Sequence, residues 1–279
     1  MSTQYTLSAR IERLVSASII AVCMLGSLSA QSSEVPCAVS SDTKLPFFGD
    51  LHIHTRYSFD SFLSNQKNDP DGAYEYAKGN VITLPDAYGE QTVSAQIDRP
   101  IDFAAVTDHG EFLGEVALCD SDWTQAGWWT PVCIMSRAQN LWIQLYAASL
   151  WTASGGMEGE APERGLVCSL CNCEESALNV WDDIQQAAER HYDRSEDCSF
   201  TTFVGYEYTQ GQEMANLHRN VIFKGEEVTR LPISVFDTES SVPELWRRLR
   251  SQCLESDSGC DVLAIPHNPN LGGGLMFPD

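Results

Sequence analysis

Positive charge is scarce in this sequence: 17 Lys and Arg stand against 39 Asp and Glu, for a formal net charge of −22. Such acidity argues against a nucleic-acid partner, whose phosphates would be repelled. A small anionic substrate stays open, because bound divalent cations would dominate the local field, and solubility accounts for most of the charge. Glycine-rich phosphate loops of the Walker or dinucleotide kind are absent, as is the His-Glu-x-x-His spacing of zinc proteases. No Gly-x-Ser-x-Gly elbow supports a serine hydrolase. Repeats and low-complexity segments do not occur. The apolar stretch Leu14 to Leu25 is shorter than the roughly 20 residues that span a bilayer. Histidine is rare, with six among 279 residues, so the position of each one is informative.

What is present begins with a secretory signal. Arg10 and Arg13 precede that apolar stretch, and small residues follow it between Gly26 and Ala30. Gln31, not the cysteine of a lipoprotein, follows Ala30, so no stable membrane anchor is expected after cleavage and the expected location is periplasmic or secreted. Removing residues 1–30 from 279 leaves 249, one large α/β domain, and takes the charge from −22 to −23 with the loss of two Arg and one Glu. Nine of the ten cysteines remain and suit an oxidising compartment. Cys168, Cys171 and Cys173 crowd together in a pattern open to a soft metal. With no histidine close by, disulfides are the better expectation, and an odd count leaves a free thiol or an intermolecular bridge.

Residues 31–45 read as a linker and 46–279 as the working domain. Short β-rich apolar runs at Phe47–Ile53, Ile101–Thr107, Phe200–Tyr206, Asn220–Phe223 and Asp261–Ile265 suit buried strands of a parallel or mixed sheet. Helices are expected at Asp71–Lys78, Ser136–Trp151 and Glu174–His191. Another runs from Ser241 to about Gln252, with Ser241 and Glu244 in a capping-box pattern. The alternation implies α/β, leaning to a barrel. Residues 112–199, rich in Trp and Cys, read as a long insertion over one face. There Trp123, Trp128, Trp129, Trp142 and Trp151 either pack among themselves or build a wall for an apolar or sugar ligand.

Five histidines stand at or beside expected strand ends; only His191, in a charged helix end, reads as surface. In Gly49-Asp-Leu-His52-Ile-His54-Thr the two imidazoles lie two residues apart, so a strand projects both to one face, able to grip one metal. Phe103-Ala-Ala-Val-Thr-Asp108-His109 delivers an acid and an imidazole at a strand's C-terminal end, where barrel enzymes build active sites. Phe203-Val-Gly-Tyr-Glu207 places one carboxylate on a strand, where a buried charge needs a cation. His218-Arg219-Asn220 and Ile265-Pro-His267-Asn complete the set.

These motifs resemble those of the PHP (polymerase and histidinol phosphatase) superfamily. Phe48-Gly-Asp-Leu-His-Ile-His-Thr, Asp98-Arg-Pro-Ile-Asp-Phe-Ala-Ala-Val-Thr-Asp-His, Gly205-Tyr-Glu-Tyr-Thr and Ile265-Pro-His-Asn resemble its DUF3604 branch, over residues 47 to 277. The resemblance implies a distorted (β/α)7 barrel with two or three divalent ions of Zn, Mn or Fe. It places His52, His54 and Glu207 on a first metal, Glu207 bridging to a second completed by His218 and His267, and Asp60 with His109 on a third. Asp108 would orient a neighbouring ligand. The family's final Asp-x-His is not found after His267. The chain therefore reads as a fragment or truncated reading frame, its barrel incomplete at the C-terminus.

The expected chemistry is hydrolysis of a small anionic phosphoester by a water made acidic between divalent ions. Nitrogen and carboxylate ligands suit Zn, Mn or Fe rather than Ca. Arg56 and Arg219, beside ligand positions, either clamp a phosphate or pair with nearby acids. Other expectations are hydrolysis of an amide or sulfate ester, and a non-catalytic metal-binding module.

Overall fold

A computed structural model of the chain describes Cys37 and residues 43–85, 92–155, 162–212, 215–269 and 271–276. The expected signal peptide, residues 1–30, and most of the linker lie outside the described residues. Strands form at Gly49–Ile53 (β1), Ile82–Pro85 (β2), Thr92–Ala95 (β3), Phe103–Val106 (β4), Thr201–Gln212 (β5), Ala215–Phe223 (β6) and Val262–His267 (β7). β2 and β3 pair as a separate antiparallel ribbon that their apolar pattern did not announce. The other five run in the order β1-β4-β5-β6-β7. The first three of these are parallel and the last two antiparallel. This mixed sheet curls as a half-barrel.

β5 and β6 reach well beyond the expected runs. Thr209, Gln210, Asn216 and His218 break the apolar pattern, yet the two strands stay paired from Gly205↔Ile222 to Gln212↔Ala215. A hairpin satisfies its backbone whatever the side chains, and a face lined with polar groups is tolerated where those groups have partners.

Helices cover the opposite face. Pro70–Ala77 (α2) follows the short helix Phe59–Leu63 (α1); Asp69 caps it by accepting from the Gly72 amide at 2.9 Å, and the chain leaves it through Gly79 at φ +84°. Leu113–Cys119 (α3), Pro131–Ser136 (α4), Leu141–Ser154 (α5) and Leu166–Leu170 (α6) precede Cys173–His191 (α7), the long crossover helix. The helix expected over Ser136–Trp151 is α5, which starts five residues later and runs on to Ser154, while α4 ends at Ser136. Asn140 sets that start as its cap, its side chain accepting from the Trp142 and Ile143 amides. Val235–Thr238 (α8) and Val242–Leu249 (α9) close the set. At α9 Ser241 accepts from the Glu244 amide, but Glu244 turns to Arg247 and Arg248 instead of returning. The complete capping box is one helix earlier, between Ser234 and Asp237.

The main core lies between sheet and helices. Tyr206, Tyr208, Val221 and Phe223 meet Tyr74 of α2, Trp181 and Ile184 of α7, and Leu245 of α9. The 112–199 segment therefore divides: α7 belongs to this core, while α3 to α6 build a second one around Phe112, Val116, Ala147, Trp151 and Val167. The tryptophans form no single wall. Trp151 is buried, Trp128 lies under the Arg137 guanidinium at 3.9 Å, and Trp123, Trp129 and Trp142 are exposed. His191, read as surface, packs against Tyr74 and bonds Asp71 at 2.9 Å. Disulfides join Cys37–Cys198, Cys119–Cys133, Cys168–Cys173 and Cys253–Cys260, and Cys171 is free. Among the described residues no helix is long and apolar enough to cross a membrane.

Candidate metal centre

Strand register gathers the candidate ligands at one end of the sheet. Thr209, His218 and His267 align across β5, β6 and β7, and His109 bridges to Glu207 just past the end of β4. His52 lies in β1 and His54 one residue beyond it. Side chains alternate along each strand, so Glu207 and Thr209 share a face with His218 and Asn220, opposite the helix-covered face of Tyr206 and Tyr208.

Glu207 is the hub. Its side chain is 1% exposed, and its Oε2 accepts from His52 Nε2 at 3.1 Å and His54 Nε2 at 2.7 Å. On Oε1, His218 Nδ1 makes a short contact, with His267 Nε2 at 3.6 Å and His109 Nε2 at 4.0 Å. His54 also reaches Asp60 at 3.0 Å, and His109 lies 3.8 Å from the same carboxylate.

Three sets of donor atoms lie mutually within 4.8 Å: His52, Glu207 and His267; His54, Asp60 and His109; and His109, Glu207 and His218. All seven expected ligands are thus brought together. Their grouping differs from the one the resemblance implied, with His267 beside His52 and His109 shared between two sets. A fourth set, Glu115, Cys168 and Cys173, holds no thiolate because its sulfurs are bonded to each other.

Burial opposes the charge on Glu207, but His109 and the hydrogen bonds from His218, His52 and His54 outweigh it and hold the carboxyl well below its usual range. Burial likewise opposes an imidazolium at His54, yet Asp60 and Glu207 raise it to about 10. His267 goes the other way: burial, against the pull of Glu207, lowers it to about 4. The buried atoms His218 Nε2 and His267 Nδ1 have no hydrogen-bond partner. A buried anion ringed by imidazoles, two of them with an unused nitrogen, fits divalent cations with nitrogen and oxygen ligands.

Residues 41–279 match the family described as "Protein of unknown function (DUF3604)". The chain belongs to the DUF3604 family. No curated protein and no solved structure matches it.

In this DUF3604 chain a second tier of residues orients the ligands. Asp108 is buried and accepts from the Thr55 amide at 2.5 Å and the Thr55 hydroxyl at 2.6 Å, which fixes the segment carrying His54. Burial, opposed by the His54 charge and the Thr55 hydrogen bonds, raises Asp108 to about 6. Thr209 Oγ1 stands between His109 Nδ1 at 3.1 Å and His218 Nδ1 at 2.9 Å. Glu111 accepts from the Thr209 amide, and Asn220 bonds His267 Nε2 at 3.1 Å through Oδ1 while donating to Leu51 O through Nδ2.

Thr209 and Asn220 stand in the quoted motifs without a role, and Glu111 was not singled out; the available signal was strand period, which puts Thr209 two residues from Glu207 and Asn220 two from His218. The structure does not bring the two arginines to the cluster. Arg56 is paired with Asp120 beside a cavity that none of the seven ligands lines. Arg219, adjacent to His218 on β6, points to the other face, over Tyr208 and Trp246.

Proposed function

We propose that this chain is an exported metal-dependent hydrolase on a distorted (β/α)7 barrel of the PHP type, acting on small phosphoesters. The observation that carries this reading is the Glu207 carboxylate, 1% exposed, with the imidazoles of His52, His54, His109, His218 and His267 within 4.0 Å. Two or three ions of Zn, Mn or Fe would be held by these residues and Asp60. A bound divalent cation supplies a Lewis acid that draws charge from the ester and lowers the pKa of water.

The chain's own residues do the rest. Glu207 supplies negative charge where cations would otherwise repel one another. Asp108 holds the His54 segment through Thr55, and Asn220 ties His267 to the β1 backbone at Leu51. Thr209 can donate one hydrogen bond and accept another, so it sets which nitrogen of His109 and His218 carries a proton. Phosphoester is preferred over sulfate ester or amide on the resemblance to PHP enzymes, and export on the four disulfides, which persist in oxidising compartments.

The test is turnover of bis(4-nitrophenyl) phosphate and 4-nitrophenyl phosphate by protein loaded with Zn, Mn or Fe(II), beside 4-nitrophenyl sulfate and a 4-nitroanilide. Expected is phosphoester hydrolysis that EDTA abolishes and that Glu207→Gln lowers by about 100-fold or more. Hydrolysis of the sulfate or anilide alone would move the substrate class. Metal binding without any turnover would make the chain a binding module.

A further inference from the structure

Helix α5 carries no charged residue along its 14 positions, in a chain of net charge −22. Its buried residues, Ala147 and Trp151, mark the side that docks on the second core. Trp142, Leu145, Tyr146, Ser149, Thr152 and Ala153 are exposed, and at 3.6 residues per turn they share the opposite face. Trp142 is 78% exposed and Tyr146 59%. A surface helix ordinarily turns charged residues to water, whereas this one turns out apolar and small ones. The two hydroxyls of the face are satisfied within the helix. Ser149 Oγ donates to the Tyr146 carbonyl at 2.7 Å and Thr152 Oγ1 to the Ala148 carbonyl at 3.1 Å, so neither loses a partner on leaving water.

Charge narrows what can cover this face. A helix that lies on a membrane sets Lys or Arg beside its apolar stripe, and α5 has neither. Anionic lipid also repels a chain this acidic. A second copy carries the same negative excess, and two such copies meet with least repulsion through a face that bears no charge.

The stripe is also complementary to itself. Bulky Trp142, Leu145 and Tyr146 fill its first half, and small Ser149, Thr152 and Ala153 its second. Two copies related by a two-fold axis across the middle of α5 run antiparallel there, so each bulky half meets a small one. Trp142 of one copy then lies against Ala153 of the other, and Tyr146 against Ser149, the large-against-small alternation by which facing helices interdigitate. At roughly 200 Å2 per side chain, the exposed apolar residues of α5 offer on the order of 600 Å2 of the about 800 Å2 per partner that a stable interface buries. Leu166, exposed and sharing a cavity wall with Leu150, extends the patch.

We infer that this chain forms a symmetric dimer through α5, the two helices antiparallel and crossing level with Ala147 and Ala148. The interface shares no residue with the metal centre and does not rest on the hydrolase reading. Light scattering after gel filtration of the full chain tests it, from about 0.1 to about 100 µM, a range that brackets the affinity of a modest interface. Twice the mass of one chain is expected, giving way to the mass of one chain on dilution.

Tyr146→Glu puts a charge in the middle of the stripe and should leave a monomer with an unchanged melting temperature, because Tyr146 is exposed in a single copy. Ser149→Lys should weaken the dimer at least ten-fold. Mixed in equal amounts, the two variants should recover it, because the antiparallel pairing sets residue 146 of one copy on residue 149 of the other. Should Tyr146→Glu fail to fold, Ala153→Trp, which sets bulk against Trp142, should give the same monomer. The mass of one chain at about 100 µM would overturn the proposal, with or without binding to lipid vesicles. So would a dimer that survives a folded Tyr146→Glu or Ala153→Trp, or a mixture that fails to recover it.

Discussion

At 1% exposure the Glu207 side chain occupies a place where an isolated charge costs several kcal/mol, and a ring of imidazoles answers it. Without metal, His54 answers it as a cation. His54, raised from 6.5 to about 10 by Asp60 and Glu207 against the effect of burial, keeps its proton at neutral pH. Its contribution to the stability of metal-free protein is full below about 6.5 and lost as pH rises through about 10. A metal must displace that proton, so apparent Zn affinity should rise with pH between 6 and 9, by about ten-fold per unit for each proton released. Titration calorimetry across that range checks this, and a flat profile would contradict it.

Thr209→Val removes the hydroxyl shared by His109 and His218 without changing shape, and should weaken metal binding by about 10- to 100-fold with little loss of melting temperature. The histidines were legible because each is a rare residue placed at the end of an apolar run. Thr209 and Asn220 were not, because their types are common and their roles arise only from the Glu207↔Asn220 and Thr209↔His218 register. Of the two roles left open for Arg219, strand alternation disfavours the phosphate clamp: its neighbour His218 lies on the opposite face, and Arg219 stands over Tyr208 and Trp246.

Among the elements, the crossover helix α7 and its contact with α3 show best what apolar patterns reveal and conceal. Its amphipathic spacing gave its limits within a residue, but nothing in composition separated it from the irregular segment before it. The close contact of α3 with α7 is made at Gly114, where an added Cβ would lie 2.1 Å from the Cys173 carbonyl oxygen. Gly114→Ala should force α3 from α7 and destabilise the fold by about 1–3 kcal/mol, read as a lowered denaturation midpoint in urea. An unchanged midpoint would mean that the helices do not approach so closely. The β5–β6 hairpin was only half legible, since its polar outer half pairs through backbone and carries the site. The late start of α5 turned on Asn140, whose side chain caps it.

At the scale of the whole molecule, cysteine parity was readable and connectivity was not, because pairing depends on which chain segments the fold apposes. Cys37 and Cys198 are 161 residues apart, whereas Cys168 and Cys173 are five apart. The denatured, unreduced chain should titrate one thiol, Cys171, if residues 1–30 have been removed, and two if Cys23 is retained. More than two would contradict the four disulfides. The short β-rich runs left the sheet open as parallel or mixed, and the antiparallel pairing of β5, β6 and β7 is what the alternation of strand and helix did not foretell.

The central claim, that Glu207 and its imidazoles hold metal, is tested most directly by elemental mass spectrometry of the protein made in an oxidising compartment, beside a His52→Ala/His54→Ala control. The account predicts two or more equivalents of Zn, Mn or Fe, falling in the control. Less than one equivalent, unchanged in the control, would contradict it.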